Sequence, residues 1–181
     1  PLNAEQRDFA STIRDSGDAL LTIINDILDF SKIEAGHLDI STNAFCLADV
    51  VEEVGELLAP RAQAKGVELV CRFDPALPAW VRGDGGRVRQ VLTNLAGNAV
   101  KFTTRGEVVV RVARDPVGGG LTLTVTDTGI GIEPALHVSV FEPFTQADGR
   151  MNRAFGGTGI GLSLTRHCQR HTHPRKRIVH A

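Results

Sequence analysis

The residues whose types and spacing best suit ligand binding or catalysis lie in one stretch, RQVLTNLAGNAVKFT, at positions 89–103. Four of its polar residues are Gln90, Asn94, Asn98 and Lys101. Their steps of four, four and three residues place them on one face of a helix. Carboxamide oxygens can ligate Mg²⁺ and a lysine ammonium can neutralise phosphate oxygens, so this face suits a metal–phosphate group. The alternative interpretation is the ordinary solvated face of an amphipathic helix.

Two glycine-containing segments offer complementary chemistry. DTGIGI, at positions 127–132, follows a predicted strand. The Asp127 carboxylate can accept a hydrogen bond from an exocyclic amine such as that of adenine, and the glycines let a flat ligand approach the backbone. FGGTGIGLSL, at positions 155–164, opens a predicted helix, where unpaired amides and the helix dipole favour an anion. The alternatives are an Asp-capped turn and a flexible loop; the second segment lacks the Lys-Ser/Thr of a Walker A loop.

A long helix is predicted for residues 4–35, ahead of these segments. Its apolar or small residues recur at alternating steps of four and three: Phe9, Ile13, Ser16, Leu20, Ile23, Ile27 and Phe30. That spacing is a heptad seam, which is buried only against other helices. Gly36 follows as a helix stop. The pattern therefore predicts a helical partner from this chain or from another one.

The later elements alternate between strand and helix patterns. The predicted strands are 37–41, 67–73, 107–114 and 121–127, and the last two form a hairpin. The predicted helices are 47–64, 87–102 and one that begins near Thr158. Residues 130–158 form a long glycine-rich connection, which in a compact domain is typical of a functional lid.

The composition excludes several classes of protein. The 181 residues are 42% hydrophobic, enough for a globular core, and no apolar run approaches the roughly 20 residues of a membrane helix. The three cysteines are scattered without a CxxC pair, which favours reduced thiols over a disulfide or zinc site. The basic tail has no interleaved aromatic residue, so we expect no nucleic-acid binding, and its His167, His171 and His173 are more typical of solvated side chains than of metal ligands.

Four blocks that occur in a fixed order give the chain a family resemblance: NLAGNAVKFT, DTGIGI, FEPFTQAD and FGGTGIGL. They resemble the nucleotide-binding boxes of sensor histidine kinases. Residues 20–36, LLTIINDILDFSKIEAG, resemble the second helix of the dimerisation domain of that family. This helix and FEPFTQAD look most like hybrid kinases that also carry receiver domains. The resemblance spans about residues 2–164.

The resemblance implies an α+β fold, namely a two-layer α/β sandwich of the histidine kinase/gyrase-type ATPase superfamily, preceded by a long dimerisation helix. Residues 1–36 would be that helix, 37–164 the ATP-binding catalytic domain, and 165–181 an atypical basic tail. The implied cofactors are ATP and Mg²⁺, and the implied reaction is γ-phosphoryl transfer to a histidine in a two-component phosphorelay. The implied partners are a second copy, joined through the N-terminal helix of an intact parent, and a response-regulator receiver domain. The implied location is cytoplasmic, without membrane contact by this segment.

The family's site residues carry over to matching positions of this sequence. Asn98 would ligate Mg²⁺, while Asn94 and Lys101, the expected catalytic residues, would contact the phosphates. Asp127 would bind the adenine amino group. Residues 133–155 would be the ATP lid, with Phe141 and Phe144 packing its base. The full cofactor-binding set implied is Asn94, Asn98, Lys101, Asp127, Gly129, Gly131, Phe144, Gly157, Thr158, Gly159, Gly161 and Leu162.

The residue type at position 94 separates transfer from hydrolysis. In related ATPases such as gyrase, heat-shock chaperones and mismatch-repair proteins, the equivalent position is a glutamate that activates water. An amide is a poor general base, so Asn94 favours holding ATP for transfer. A gyrase-like ATPase is therefore the weaker alternative, and DFSKIEAG also disfavours it.

The sequence departs from the family at the acceptor histidine and after Leu164. None of the six histidines lies in a block resembling HEIRTPLN, where the family carries its acceptor. The last residues, RHCQRHTHPRKRIVHA, show no β alternation, so we expect an unpaired sheet edge beside the strand that carries Asp127. These departures make the chain resemble one that is truncated at both ends. The alternative function is a catalytically silent remnant that only binds nucleotide or dimerises.

Overall fold

The computed structural model describes residues 2–37, 39–115, 120–145, 159–171 and 178–180. The chain divides into two compact units between residues 38 and 39. The helices are α1 (Ala4–Glu34), α2 (Leu47–Lys65), α3 (Gly85–Phe102) and α4 (Gly161–His171). The strands are β1 (Asn43–Cys46), β2 (Val67–Phe73), β3 (Trp80–Gly83), β4 (Gly106–Arg114), β5 (Leu121–Asp127) and β6 (Ile178–His180). Two short 3-10 helices lie at Pro134–Leu136 and Ser139–Phe141.

The first unit consists of α1, which confirms the long helix predicted from the heptad pattern. Asn3 caps its start: the side chain accepts a hydrogen bond from the Gln6 amide at 2.8 Å, and the Gln6 side chain accepts one from the Asn3 amide at 3.1 Å. Gly36, with φ of +69°, follows the last turn. The apolar seam of Phe9, Ile13, Leu20, Ile23 and Ile27 is exposed, as expected for a stripe that needs another helix.

The second unit is built on a mixed four-stranded sheet in the order β2-β4-β5-β6. β2 is parallel to β4, β4 is antiparallel to β5, and β5 is parallel to β6. Helices α2 and α3 pack on the sheet, and α4 packs on α3. β1 and β3 form a separate antiparallel pair. The result is the predicted two-layer α/β sandwich. No helix among the described residues is long and apolar enough to span a membrane.

The core lies between α3 and the centre of the sheet. Val108, Val110 and Val112 are at most 2% exposed, whereas Arg111 between them is exposed. This alternation puts one face of β4 under the helices. Leu92 and Leu95 of α3 are buried in the same core. Full burial of one such side chain stabilises the fold by roughly 1.5–3 kcal/mol, so this contact fixes α3 on the sheet.

The strand predicted at 37–41 is wrong. Residue 37 and residues 39–42 have no regular structure, and the strand lies at Asn43–Cys46 instead. Its partner Trp80–Gly83, which the sequence analysis did not predict, pairs Asn43 with Gly83 and Cys46 with Trp80. Both strands are only four residues long, so cross-strand pairing rather than local alternation defines them.

The unpaired edge expected beside β5 is also wrong. Ile178–His180 forms β6, which pairs with β5 in the register Leu123↔Ile178 to Val125↔His180. Three residues are too few to show an alternating pattern, but Ile178 and Val179 are β-branched and suit an extended backbone. α4 runs past residue 164 to His171 and begins at Gly161, three positions after the predicted start.

The start of α3 is held by one carboxylate. Asp84 is the N-cap, and its side chain accepts hydrogen bonds from the Arg87 amide at 2.9 Å and the Ser41 amide at 3.0 Å. Burial raises the pKa of the Asp84 carboxyl, but the hydrogen bonds from Arg87 and Ser41 outweigh burial and the pKa is lowered. The helix begins two residues before the predicted Arg87 because this cap fixes it.

The end of α3 is held by a lysine from the neighbouring helix. Lys65, the last residue of α2, donates hydrogen bonds from Nζ to the carbonyl oxygens of Val100 and Lys101, both at 2.7 Å. These carbonyls belong to the last turn of α3, where no intrahelical donor remains for them. An ammonium at a helix C-terminus also interacts favourably with the helix dipole. Lys65 therefore ties α2 to the end of α3.

We expect Lys65→Met to lower the free energy of unfolding by about 1–2 kcal/mol, because two charge-assisted hydrogen bonds are lost while the aliphatic stem is kept. Urea unfolding measures the change. Arg61→Met is the matched control, since Arg61 is an exposed cation of the same helix that makes no hydrogen bond or ion pair among the described residues. Equal effects of the two substitutions would contradict a specific role for Lys65.

Candidate functional site

The polar face predicted on α3 is present. Asn94, Asn98 and Lys101 are half-buried, whereas Leu92 and Leu95 on the opposite side are buried in the core. Helical phase thus separates the two sets as the sequence spacing predicts. Gln90 on the same face accepts a hydrogen bond at 2.7 Å from Arg87 Nη1.

Asn94 is brought against the start of α4. A Cβ added at Gly161 would lie 3.1 Å from Cγ and 3.2 Å from Oδ1 of Asn94, so the helix start can approach this closely because Gly161 has no side chain. Asn94 Nδ2 is buried and has no hydrogen-bond partner among the described residues. A buried donor without an acceptor is costly, so Asn94 Nδ2 is a candidate donor to a ligand that supplies the acceptor.

The turn after β5 is pressed against the other end of α3. The Gly129 amide donates a hydrogen bond to Asp127 Oδ1 at 2.8 Å. A Cβ at Gly129 would lie 2.8 Å from the Phe102 carbonyl oxygen, so any side chain there would push the turn away from α3. This contact brings Asp127 next to the helix end that carries Lys101. Asp127 Oδ2 makes no hydrogen bond among the described residues and is the oxygen available to a ligand.

Lys101 lies half-buried at this helix end. Its Nζ is 4.9 Å from the centroid of the Phe102 ring, within reach of a cation–π interaction. Burial lowers the pKa of the Lys101 amine because desolvation disfavours the charged form. A phosphate anion beside it would have the opposite effect and favour the ammonium, which suits Lys101 to contact such a group.

A backbone contact joins Phe144, in the predicted lid, to Gly159, which precedes α4. The Phe144 amide donates to the Gly159 carbonyl at 3.0 Å, and both residues have left-handed backbone angles, with φ of +61° and +69°. A Cβ at Gly159 would lie 2.9 Å from the Phe144 carbonyl carbon. The Phe144 side chain is 62% exposed, and its backbone makes the contact at this junction. Residues 146–155 of the predicted lid lie outside the described residues, so the expected packing of Phe144 at the lid base stays a prediction. Phe141 is half-buried beside buried Val140.

Not every predicted residue is placed by these contacts. Gly157 and Thr158 lie outside the described residues. Gly131 has φ of +69°, and a Cβ added there would have no atom within 4 Å. Glycine is therefore favoured at this position by its backbone angle and not by a close contact. Leu162 is half-buried in the first turn of α4. Asn98 is half-buried on the shared face of α3, one turn from Asn94.

The donor set decides how a metal could be held. Within the described ranges, no group of three or more His, Cys, Asp or Glu residues is arranged to hold a metal ion. Mg²⁺ usually keeps several waters and binds through few protein ligands plus substrate phosphates. The amide oxygen of Asn98 fits that mode, and the unsatisfied Asn94 Nδ2 fits an adjacent phosphate.

Sequence reasoning missed two residues that shape the site, Gly106 and Thr128. Gly106 has φ of +105°, and a Cβ there would lie 2.1 Å from Thr128 Oγ1. Thr128 Oγ1 in turn accepts a hydrogen bond from the Glu107 amide at 3.0 Å. The sequence shows a threonine directly after Asp127, but the sequence analysis treated it only as part of a glycine-containing turn.

A concave region of about 710 Å³ lies elsewhere, on the face of the sheet away from α3. Its lining includes Arg72, Val109, Arg111, Thr124 and Thr126. None of the predicted nucleotide-binding residues belongs to it. Contacts and unsatisfied polar groups, rather than concavity, therefore identify the candidate site.

Two family models match the chain. The model described as histidine kinase-, DNA gyrase B- and HSP90-like ATPase matches residues 83–178, more than half of the chain. The model described as His Kinase A (phospho-acceptor) domain matches residues 1–36. The two matches fall on the two compact units of the structure.

Curated relatives are similar over most of the chain. Hybrid signal transduction histidine kinase A of Dictyostelium discoideum is 44% identical over 174 residues, covering 91% of this chain and 8% of the relative. Signal transduction histidine-protein kinase BarA of Escherichia coli strain K12 is 41% identical, covering 91% of this chain and 18% of the relative. The chain therefore spans less than a fifth of these relatives.

Solved structures agree in fold. Full-length ShkA in complex with AMPPNP aligns with a TM-score of 0.75 and 36% identity, covering 94% of this chain and 35% of that one. The catalytic domain of histidine kinase ThkA aligns with a TM-score of 0.57 and 25% identity, covering 72% of this chain and 78% of that one. The chain belongs to the histidine kinase-, DNA gyrase B- and HSP90-like ATPase family and, within it, to the sensor histidine kinases.

Proposed function

We propose that this chain binds Mg-ATP and supplies the catalytic unit for transfer of the γ-phosphoryl group to a histidine in a two-component phosphorelay. The observation that carries the proposal is the convergence of distant segments on α3. Gly161 abuts Asn94, and Gly129 abuts the Phe102 carbonyl beside Lys101. The AMPPNP complex of the related ShkA supports a nucleotide as the ligand.

The polar groups along and beside α3 have different tasks. Asp127 Oδ2 accepts a hydrogen bond from the adenine amino group, while the Gly129 amide holds Oδ1 and so orients the carboxylate. Lys101 and the Asn94 amide donate to phosphate oxygens, and Asn98 offers its amide oxygen to Mg²⁺. When bound, Mg²⁺ would neutralise charge on the phosphates. Catalysis is then mainly positioning and charge stabilisation, as in other phosphoryl transfers.

Asn94 keeps the bound nucleotide from being wasted on water. Its side chain lies against the start of α4. The resemblance implies that related ATPases carry at this position the glutamate that activates a water. A carboxamide has no useful basicity at neutral pH, so it cannot activate that water. The site therefore holds ATP until a histidine is presented.

The acceptor and the partners belong to the same proposal. The segment matched to the phospho-acceptor domain, residues 1–36, contains no histidine. We infer that the acceptor is presented by another helix that packs on the exposed seam of α1, and that pairing through this seam makes a homodimer. A response-regulator receiver domain would accept the phosphoryl group next, in the cytoplasm.

A second candidate function is a silent module that binds nucleotide or dimerises without transfer. The absence of a histidine in the matched segment favours it for this chain acting alone. The seam of α1 and the nucleotide site serve both functions equally. Transfer to a supplied acceptor separates them.

We expect Asp127→Asn to weaken ATP binding by about 10- to 100-fold, because one charge-assisted hydrogen bond to the adenine amine is lost, worth about 1.5–3 kcal/mol. Isothermal titration with ATP and Mg²⁺ measures the change. Asp49→Asn, at the exposed start of α2, is the control for loss of a negative charge. Unchanged affinity in Asp127→Asn would remove Asp127 from the site.

We expect the unaltered chain to hydrolyse ATP negligibly and Asn94→Glu to raise turnover by about 100-fold, since a general base typically contributes 10²–10⁴-fold. Release of inorganic phosphate measures turnover. Asn94→Gln is the matched control, because it has the length of glutamate without its basicity. Rapid hydrolysis by the unaltered chain would contradict the role given to Asn94.

We expect a separate acceptor-helix peptide carrying an HEIRTPLN-like block to become labelled when it is mixed with the chain and Mg-ATP. The label should be acid-labile, as a phosphohistidine is, and absent from a peptide whose histidine is replaced by glutamine. The chain alone should stay unlabelled. ATP binding without labelling of the peptide would favour the silent module, and self-labelling of the chain would contradict the inferred external acceptor.

A further inference from the structure

The hydroxyl of Thr128 joins the turn that carries Asp127 to the start of β4. Thr128 Oγ1 accepts a hydrogen bond from the Glu107 amide at 3.0 Å and lies 3.2 Å from the Arg105 carbonyl oxygen, to which it donates. The Thr128 amide also donates to the Glu107 carbonyl at 3.2 Å. Thr128 is exposed, so these bonds rather than packing in the core account for its position.

The backbone of the partner segment is shaped around this hydroxyl. Gly106 has φ of +105°, a backbone conformation that residues other than glycine rarely adopt. A Cβ at Gly106 would lie 2.1 Å from Thr128 Oγ1 and 3.2 Å from Thr128 Cβ, so a methyl group and the hydroxyl cannot occupy this space together. Gly106 and Thr128 therefore form one interlocked pair, which we call the β4–β5 lock.

The lock and a second contact hold the turn from two sides. On one side, Thr128 is bonded to Arg105 and Glu107. On the other side, Gly129 lies against the Phe102 carbonyl oxygen and donates to Asp127 Oδ1. Asp127 is the residue immediately before this doubly held turn and pairs with Val108 across the strands. Its carboxylate direction depends on both contacts.

We propose that Thr128 is a positioning residue that fixes the Asp127 carboxylate for recognition of the purine amino group. The inference rests on the proposed function, in which Asp127 accepts a hydrogen bond from adenine. Loss of the hydroxyl leaves in place the pairing of Asp127 with Val108 and the bond from the Thr128 amide to Glu107, but it removes both side-chain hydrogen bonds on that side of the turn. The acceptor oxygen then samples a wider range of directions, which weakens a hydrogen bond whose strength depends on its angle.

The test compares two nucleotides that differ at the purine amine. ATP carries the exocyclic amine, whereas ITP carries a carbonyl oxygen there, which accepts hydrogen bonds and cannot donate one to Asp127 from that position. We expect Thr128→Val to weaken ATP binding by about five- to tenfold, the equivalent of one ordinary hydrogen bond, and to leave ITP binding within about twofold. Thr128→Ser, which keeps the hydroxyl, should keep the ATP/ITP ratio of the unaltered chain.

Controls separate positioning from general damage to the fold. Thr126→Val removes an exposed hydroxyl from β5, the strand that ends at Asp127, and should change neither affinity. Gly106→Ala displaces the hydroxyl without altering Thr128 and should reduce the ATP/ITP ratio as Thr128→Val does. Thermal unfolding shows that the variants compared are folded; if the valine variant is not, Thr128→Ala removes the same hydroxyl from its exposed position.

The possible outcomes distinguish this inference from the proposed function. A Thr128→Val variant that keeps the ratio of ATP affinity to ITP affinity would overturn the positioning role. The proposal that the unaltered chain binds ATP would still stand. An unaltered chain that binds ATP and ITP equally well would overturn recognition of the amine by Asp127, and the positioning role with it. Selective loss of ATP binding, with rescue by serine, would support both.

Discussion

The close approach of two glycines to α3 is the contact on which the rest of the site depends. Gly161 lets the start of α4 reach Asn94, and Gly129 lets the turn after β5 reach the Phe102 carbonyl. A side chain at Gly129 would lie within 3 Å of backbone, which a folded chain relieves only by separating the two elements. Segments far apart in the sequence thus contact the same helix, α3, because glycine has no side chain to keep them away from it.

The same helix has to satisfy two opposing demands. Its buried side, with Leu92 and Leu95, anchors it in the core, while its half-buried side keeps Asn94 Nδ2, a buried donor without a hydrogen-bond partner among the described residues. An orphaned amide such as Asn94 Nδ2 destabilises the unliganded chain. The capping of both helix ends, by Asp84 and by Lys65, offsets part of that cost and keeps α3 in register with the sheet.

The sequence was informative where a signal is local and repeated. The steps between Asn94, Asn98 and Lys101 predicted the face of α3, and the heptad seam predicted α1, because helical phase depends only on near neighbours. It failed for β1 and β6, whose short strands exist through pairing with distant partners. It also missed the interlock of Gly106 with Thr128, since a hydroxyl that occupies the place of a Cβ has no signature in either residue alone. The backbone role of Phe144 was hidden for a similar reason: its φ of +61° and its hydrogen bond to Gly159 involve a residue 15 positions away.

The junction between Phe144 and Gly159 has a consequence for how the chain between them can vary. The 3.0 Å hydrogen bond joins the two ends at a point outside the connection itself. Closing a longer flexible segment between joined ends costs only about 0.6 kcal/mol for each doubling of its length. A change of length made away from Gly157 and Thr158 is therefore compatible with keeping this hydrogen bond. In evolutionary terms, the junction lets the length of the connection vary while its two ends stay joined.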